Sequence, residues 1–582
     1  MKESRAALVL VAVVVGACRS RPAPPGGVSR LLPALGAPAL RALDPLAAGV
    51  WGRVNPAEHV ETVPSVAMRS GQTLSCEARV GPGSLLNYSF AVLPSSPQKG
   101  WALLHVRVGG KEVARVRLSV EDRSRWERGS VRLEASGSVR VEFEAEHTNG
   151  AGVPFPAAEE SPSPWMALGS PRVESPKDAA QRRVFVWISQ DTLRADHLGA
   201  FGYPRPTSPA FDALSREWIT FENGVSTASW TLPSLTSQFT SRYPSFHGAV
   251  IETQARDPRF PTLFEVLAQN GFLVAGVTGN PFVSNDFSMA AGFDDLVFDH
   301  GRAKDLNLWA IRALKDFGGE DLALLVHYQD PHSPYEPPYP YDRLFSPSGG
   351  PPDVEEREQK KALYDGLIAY ADHEIAALLD SLRRRGLLQN AVIVYSADHG
   401  EEFLDHGGWL HARTLYQEML HVPFAIRVPG LRGRRVSEVV SLCDLAPTVL
   451  DALGIPKPGS FQGTSLLPLL KGGGFREAPV FAETERNPAR NHLVAVREGE
   501  TKYILTLARG GQFPSDIRSE ELFDLRADPG EAQPVHDPDK KARYRRLVQS
   551  FLARAASEEG SAASSTMSPE VRERLRALGY IQ

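Results

Sequence analysis

Gln190-Asp191-Thr192-Leu193-Arg194, Gly279-Asn280, Gln329-Asp330-Pro331-His332 and Asp398-His399-Gly400-Glu401-Glu402 are four short stretches that concentrate carboxylates, imidazoles and amides. HGGWLHART follows the last of them at 406–414. A lone Asp after a strand is usually a turn or cap residue. An adjacent Asp-His pair followed by Gly is more telling, because two ligands on one tight turn can converge on one ion. Oxygen and imidazole donors in this mixture suit a divalent cation. A fifth stretch, TASWTLPSLTSQFTSRY at 227–243, is crowded with hydroxyls and has neither helical nor strand alternation. It reads as a loop that is either merely polar or holds one hydroxyl out for chemistry. A free hydroxyl is a weak nucleophile, and a cation bound to its oxygen activates it.

These stretches need a frame that brings them to one place, and the sequence supplies a sheet. VFVWIS (184–189), FLVAGVT (272–278), LALLVHY (322–328) and AVIVYSA (391–397) are continuous apolar runs, as expected of strands covered on both faces. Each of the four chemical stretches follows one of these runs. Between them lie SPAFDALSREW, with Ser208 as N-cap and Pro209 at N1 of a helix, and FPTLFEVLAQNG, a helix that Gly271 stops. A long amphipathic stretch runs from about Lys360 to Arg385. Apolar strands alternating with helices predict an α/β fold with a mainly parallel sheet and helices on both faces. Ligands bind such sheets beyond the carboxyl ends of the strands, where the four stretches lie.

Residues 49–178 follow another pattern. LLNYSFAVL, ALLHVRVGG, KEVARVRLSV, GSVRLEASG and SVRVEFEAE alternate with period two, which predicts an antiparallel β-sandwich loosely resembling the galactose-binding-like jelly rolls. It has no metal or nucleophile cluster and reads as an accessory binding or spacer domain. PRVESPKDAAQRR marks its boundary with the α/β part. At the start of the chain, Lys2 and Arg5 precede a short apolar run that ends in Val15-Gly16-Ala17-Cys18. The run is too short to span a bilayer and fits a secretory signal. Its end resembles a bacterial lipobox, which implies lipidation at Cys18, a signal peptide over 1–18, a Pro/Ala/Gly-rich tether over 19–48, and anchoring in the bacterial cell envelope, periplasm-facing or on the outer membrane. Cys76 and Cys443 read as small buried apolar residues. With 582 residues the chain needs more than one domain, and its net charge of −5 gives no reason to expect nucleic acid as a partner.

From Arg183 onward the motifs resemble, in order, those of the sulfatase family in the alkaline phosphatase superfamily. They are VFVWISQDTLRADHLGAFGYPRPTSPAFDAL, RYPSFHG, NGFLVAGVTGNPFVS, HYQDPHSPYEPP, SADHGEEFLDHGGWLHARTLYQEMLHVPFAIRVPG, SLCDLAPTVLDALGI, GTSLLPLLKGG, ELFDLRADPGE and SPEVRERLRALGYIQ. The resemblance implies a sulfatase-type catalytic domain over 179–475 and a small C-terminal α+β subdomain and tail over 476–582. Family members usually carry Cys or Ser in C-x-P-x-R, converted to formylglycine. Here the aligned residues are Thr231-Leu232-Pro233-Ser234-Leu235, so no formylglycine is expected and Thr231 takes the nucleophile's place; Ser229 and Ser234 fall off the register. The implied metal ligands are Asp191, Asp398, His399 and the Thr231 oxygen, holding one Ca²⁺, Mg²⁺, Mn²⁺ or Zn²⁺. Asp330, His332 and His411 are the candidates for a second metal. His332 and His411 are also the substrate-facing groups, one of which protonates the leaving oxygen. Gln190 and Asn280 are candidate substrate contacts, and His406 and Glu401 are candidates to orient the imidazoles.

The chemistry expected is in-line attack by Thr231 on a sulfate or phosphate mono- or diester, whose alcohol is a glycan or lipid. A sulfo-Thr lacks the elimination route of a formylglycine hemiester, whereas a phospho-Thr can be displaced by water, which favours phosphate. Two rivals stand beside this reading: a phospho-alcohol transferase acting on envelope lipid or glycan, and a non-catalytic glycan-binding protein that keeps the scaffold.

Overall fold

The computed structural model describes residues 28–31, 59–92, 100–149, 166–578 and 580, apart from 64, 121–125, 176, 179, 315–318, 346–351, 488, 490, 509, 511–512, 559–562 and 566. Cys18 and the signal segment lie outside the described residues. The described residues form two compact units, one built mainly from residues up to Gln181 and the other mainly from Arg182 onward. None of the described helices is long and apolar enough to cross a membrane.

The first unit holds two antiparallel sheets. One orders Val28–Arg30, Met166–Glu174, Leu85–Val92 and Glu127–Arg132, with Ser65–Met68 also paired to Met166–Glu174. The other orders Thr73–Val80, Gly137–Thr148, Trp101–Val108 and Lys111–Ser119. Alternate residues of Thr73–Val80 are buried, as period-two patterning requires. Leu74, Ala102, Leu104 and Phe143 of one sheet share a core with Leu86, Phe90 and Met166 of the other. Cys76 lies in this core and Cys443 is buried in the second unit, both as free thiols. One expectation is corrected: Val28–Arg30, assigned to the tether, is a strand paired to Met166–Glu174.

In the second unit, strands β1 (Val184–Gln190), β2 (Ile219–Val225), β3 (Phe272–Thr278), β4 (Asp295–Asp299), β5 (Asp321–Tyr328), β6 (Ala391–Ala397), β7 (Phe424–Arg427) and β8 (Arg434–Ser441) join one sheet in the order β4-β3-β5-β1-β6-β7-β2-β8. β1 is parallel to both β5 and β6, whereas β7 runs antiparallel to its neighbours β6 and β2. Every residue of β1, β3, β5 and β6 is buried, which explains their continuous apolar sequences. Helix α1 (Pro209–Glu217) follows Ser208, yet its first N–H groups are capped from afar: the Asp372 carboxylate accepts from Ala210 and Phe211 at 2.8 Å. The Ser208 hydroxyl instead bonds Gly199 N and Asp212.

The hydroxyl-rich stretch is a helix, α2 (Thr231–Thr240), and not a loop. All ten of its residues are buried, so no amphipathic stripe marks it in the sequence. A helix buried on every side must satisfy its hydroxyls within the protein. Thr236 and Thr240 donate back to the carbonyls one turn earlier, at 2.7 and 2.6 Å. Its Phe239 lies 5.5 Å from the ring of Trp187 on β1, which stacks 6.0 Å from Phe264 of α3 (Leu263–Gln269). Trp187 is fully buried, so truncation to Ala is expected to cost about 3–5 kcal/mol and loosen α2 on the sheet.

After the sheet, β9 (Val480–Thr484), β10 (His492–Glu498), β11 (Thr501–Leu507) and β12 (Ile517–Asp524) form an antiparallel sheet in chain order. Helix α4 (Pro538–Ser557) packs Tyr544, Val548 and Phe551 against it. Helix α5 (Pro569–Ala577) follows, its Ser568 cap accepting from Val571 N while Ser568 N donates to Asp286.

Candidate active site

Register places the site. Gln190 pairs with Tyr328 on one side and Ala397 on the other, so Asp191, Gln329 and Asp398 leave the sheet at one level. One residue deeper, Ser189 pairs with His327 and hydrogen-bonds its Nδ1 at 2.9 Å. Asp191 Oδ1, Asp398 Oδ2 and His327 Nε2 are buried and have no hydrogen-bond partner. Ligand atoms of these three residues lie within 4.8 Å of one another. Three orphaned donors at this spacing fit a divalent cation, since buried polar atoms are otherwise paired.

The remaining atoms of these groups are used to aim them. Asp191 Oδ2 accepts from Asn280 Nδ2 at 2.6 Å and Gln329 Nε2 at 3.2 Å. Asp398 Oδ1 accepts from the backbone N–H groups of His399 and Thr192 at 2.8 and 3.2 Å. Ser234 of α2 donates to the Asp398 carbonyl at 2.6 Å, and Ser226 donates to it as well. A Cβ at Gly400 would lie 1.9 Å from the Glu418 carbonyl oxygen, so only glycine lets the turn after Asp398-His399 pack there. Burial, then the neighbouring Asp398 charge, raises the Asp191 carboxyl well above its usual range. Burial likewise pushes Asp398 up to about 7, against backbone N–H groups and the Thr231 hydroxyl that hold it down. A bound cation relieves both.

Thr231 is the first residue of α2, fully buried, at the end of the helix where the dipole favours negative charge. Its Oγ1 lies 3.3 Å from His399 Nε2, 3.4 Å from Asn280 Nδ2 and 3.0 Å from the Tyr580 hydroxyl. His399 Nε2 is also 3.4 Å from Asp191 Oδ1 and 3.5 Å from Asp398 Oδ2. Its Nδ1 contacts the Gly400 carbonyl, which can only accept, so Nε2 presents a lone pair to these groups. His332 and His411 stand 5.0 Å apart by ring centroid. His332 Nδ1 donates to the Ser333 carbonyl, and His411 Nδ1 is 3.0 Å from Glu401 Oε1, whose other oxygen accepts from Tyr335 at 2.9 Å. Burial, with His411 nearby, depresses His332 to about 3; burial and then His399 lower His411 well below its usual value. Burial pushes Glu401 up to about 7, opposed by His332 and His399.

Thr231, Asp191, Asp398, His399, His332, His411 and Asn280 thus converge. Three expected residues have other jobs. Gln190 is the last residue of β1 and its side chain is consumed in the core: Nε2 donates to the Asp330 carbonyl at 3.3 Å and Oε1 accepts from Tyr395 at 2.5 Å. Asp330 Oδ2 accepts from Ala303 N at 2.9 Å, at the start of the helix Ala303–Ala313, and the metal-type cluster found among the described residues is Asp191, His327 and Asp398, not Asp330 with His332 and His411. His406 stacks on Tyr416 at 3.6 Å and pairs with Glu418 at 2.7 Å, leaving orientation of His411 to Glu401 alone. Two residues were missed. His327 is hidden in an apolar strand, where its one signal is a lone imidazole just before the strand ends. Tyr580 follows α5, far along the chain, with no local signal beyond its place in the family-like tail.

Two family models match this chain: Sulfatase over residues 183–455 and N-sulphoglucosamine sulphohydrolase, C-terminal, over 405–558. The chain belongs to the sulfatase family. Human arylsulfatase K is 32% identical over 180 residues, 29% of this chain and 32% of the relative. The N-acetylglucosamine-6-O-sulfatase of Bacteroides thetaiotaomicron is 30% identical over 199 residues, 32% of this chain and 34% of the relative. The match therefore spans about a third of these curated relatives. Among solved structures, a protein in complex with its substrate D-glucosamine-2-N,6-O-disulfate superposes with a TM-score of 0.54 at 19% identity, over 65% of this chain and 98% of the other. The phosphonate monoester hydrolase of Agrobacterium radiobacter superposes at 0.52 and 19% identity, over 66% and 99%. These likenesses establish the sulfatase-like fold.

Proposed function

We propose that this sulfatase-family hydrolase cleaves sulfate or phosphate esters with the Thr231 hydroxyl as nucleophile and one divalent cation. The observation that carries the reading is the trio of orphaned atoms on Asp191, Asp398 and His327 beside a buried hydroxyl at a helix N-terminus. Asp191, Asp398 and His327 would hold the cation, with His399 reaching the same carboxylate oxygens. When bound, the cation would favour the deprotonated Thr231 oxygen and offset charge on the ester.

The chain's own groups do the rest. His399 Nε2 is placed to accept the Thr231 proton, and Asn280 Nδ2 holds Oγ1 and Asp191 together. His332 and His411, both neutral while buried without an anion, gain protons when an anionic ester enters between them, because opposite charge raises an imidazole pKa. One of them then protonates the leaving oxygen, and Glu401 steadies His411. Attack by Oγ1 breaks the bond to the leaving oxygen and forms a Thr231 ester, which water cleaves. A phospho-Thr is open to attack by water at phosphorus, which favours phosphate within the class; the names of the relatives favour sulfate.

The test is a purified chain lacking residues 1–18, its metal content, and rates on 4-nitrophenyl sulfate, phosphate, phosphodiester and phosphonate. Thr231→Ala is expected to lose about 10⁴–10⁶-fold in kcat on the best substrate while keeping the metal. Unchanged activity in that variant refutes the nucleophile. The lipobox-like end at Cys18 supports envelope anchoring, and Cys18→Ser should move the expressed protein from membranes to the soluble fraction.

A further inference from the structure

Thr192 directly follows Asp191 and holds a backbone conformation that L residues avoid. Its φ is +57°, in the left-handed region. A β-branched residue is poorly suited to that region, so its surroundings must impose it. Thr192 is fully buried and its hydroxyl oxygen has no hydrogen-bond partner, so its own side chain offers no local compensation.

The kink has a use. It turns the Thr192 N–H onto Asp398 Oδ1 at 3.2 Å, where the His399 N–H arrives at 2.8 Å. Two donors fix Oδ1 and leave Oδ2 as the orphaned oxygen. With one donor the carboxylate could turn, since its last torsion is soft. A single kinked residue is thus joined by a peptide bond to Asp191 and by a hydrogen bond to Asp398, the two carboxylates of the cluster.

Tyr364 spans the kink. Its hydroxyl donates to the Thr192 carbonyl at 2.7 Å and accepts from the Arg194 N–H at 3.0 Å, so one oxygen closes both sides of the turn. Tyr364 stands on the helix Pro352–Arg384 and is fully buried. His197 and Phe403 meet its ring edge-on at 5.1 and 5.0 Å, so close packing fixes where the hydroxyl lies.

We infer that Tyr364 is a positioning residue for the cation site: its hydroxyl holds Thr192 in the left-handed conformation and thereby aims Asp398 Oδ2 at the point shared with Asp191 and His327. This rests on the reading above that a divalent cation binds at that point.

Cation binding is measured by calorimetry on the chain lacking residues 1–18, stripped with a chelator, with Ca²⁺, Mg²⁺, Mn²⁺ and Zn²⁺ in turn. Tyr364→Phe keeps the packed ring and loses the hydroxyl. Affinity for the cation that wild type binds should fall about 10–100-fold. Glycine takes a positive φ at no steric cost, so Thr192→Gly does not need the clamp. That variant should bind within about threefold of wild type, and adding Tyr364→Phe to it should cost no more than about threefold further. A merely structural hydroxyl would cost the same in both backgrounds. Affinity unchanged in Tyr364→Phe, or lost equally in both backgrounds, overturns the proposal. Hydrogen exchange of the metal-free chain gives a readout that needs no cation: the peptide covering 191–198 should exchange at least about tenfold faster in Tyr364→Phe. Unchanged exchange there overturns the proposal, whereas a wild type that binds no cation while the exchange effect is present refutes the cation reading instead.

Discussion

His105 in the first unit and His327 in the second are both buried on strands, and they are held in opposite ways. His105 has Glu112 on Nδ1 and Glu146 on Nε2, each at 2.9 Å. His327 has Ser189 on Nδ1 and nothing on Nε2, with two carboxylate oxygens in the same condition nearby. Burial, and then His399 and His332, depress His327 to about 3. An orphan atom by itself is weak evidence, since the Asn87 amide of the first unit is also without partners. What separates the two regions is convergence. His105 is paired within its antiparallel sheet, whereas the parallel sheet leaves three ligand-type atoms facing one point, an arrangement that would be costly unless something binds there.

Breaking the second region should have the largest effect. His327→Ala removes one orphan and leaves two carboxylates facing each other; metal affinity should fall at least about a hundredfold and activity with it. Retained stoichiometric metal by mass spectrometry, with full activity, would mean that His327 is a core residue and that the contrast with His105 carries no function. Glu401→Gln keeps the shape but removes the charge that holds His411 Nδ1. It should lower kcat about 10–100-fold with the metal retained, and Glu401→Asp should restore part of it. An unchanged pH–rate profile in Glu401→Gln would argue against an orienting role. In the first region, His105→Leu should cost about 1 kcal/mol in urea unfolding, because Glu112 and Glu146 are about a third exposed and rehydrate readily. Its activity should equal wild type.

The same contrast explains what the sequence could say. The strands were legible because burial on both faces demands continuous apolar runs, and the rule that sites follow strand ends found Asp191, Asn280, Asp398 and His399. That rule also swept in Gln190 and Asp330, which sit at strand ends but turn inward to Tyr395 or cap a helix. Side-chain direction at a strand end is set by one residue of register, which no motif records. His327 was missed for the mirror reason: it is one residue too deep to count as an end. Helix α2 hid because burial on every side erases the apolar stripe, although its hydroxyl spacing, Thr236 and Thr240, is that of back-bonding one turn apart. Tyr580 depends on contacts across several hundred residues, and nothing near it in the chain announces them.

A histidine outside both clusters gives the smallest and most specific test. Burial would lower the His406 pKa, but the hydrogen bond and charge of Glu418 more than offset this and raise it to about 9. A folded value above the unfolded one of about 6.5 means that the pair stabilises the native state fully below pH 6.5 and loses that contribution as the pH rises through 9. His406 is partly exposed and so partly screened by solvent, which makes the effect modest: the melting temperature should fall by roughly 1–2 °C between pH 6.5 and 9.5 relative to His406→Gln, which lacks the titration. Metal binding should not track this change, because the His406 ring stacks on Tyr416 and bonds Glu418 and the Glu531 carbonyl. If the metal content of His406→Gln fell as it should in His327→Ala, the division between paired and orphaned histidines would fail as a guide to function.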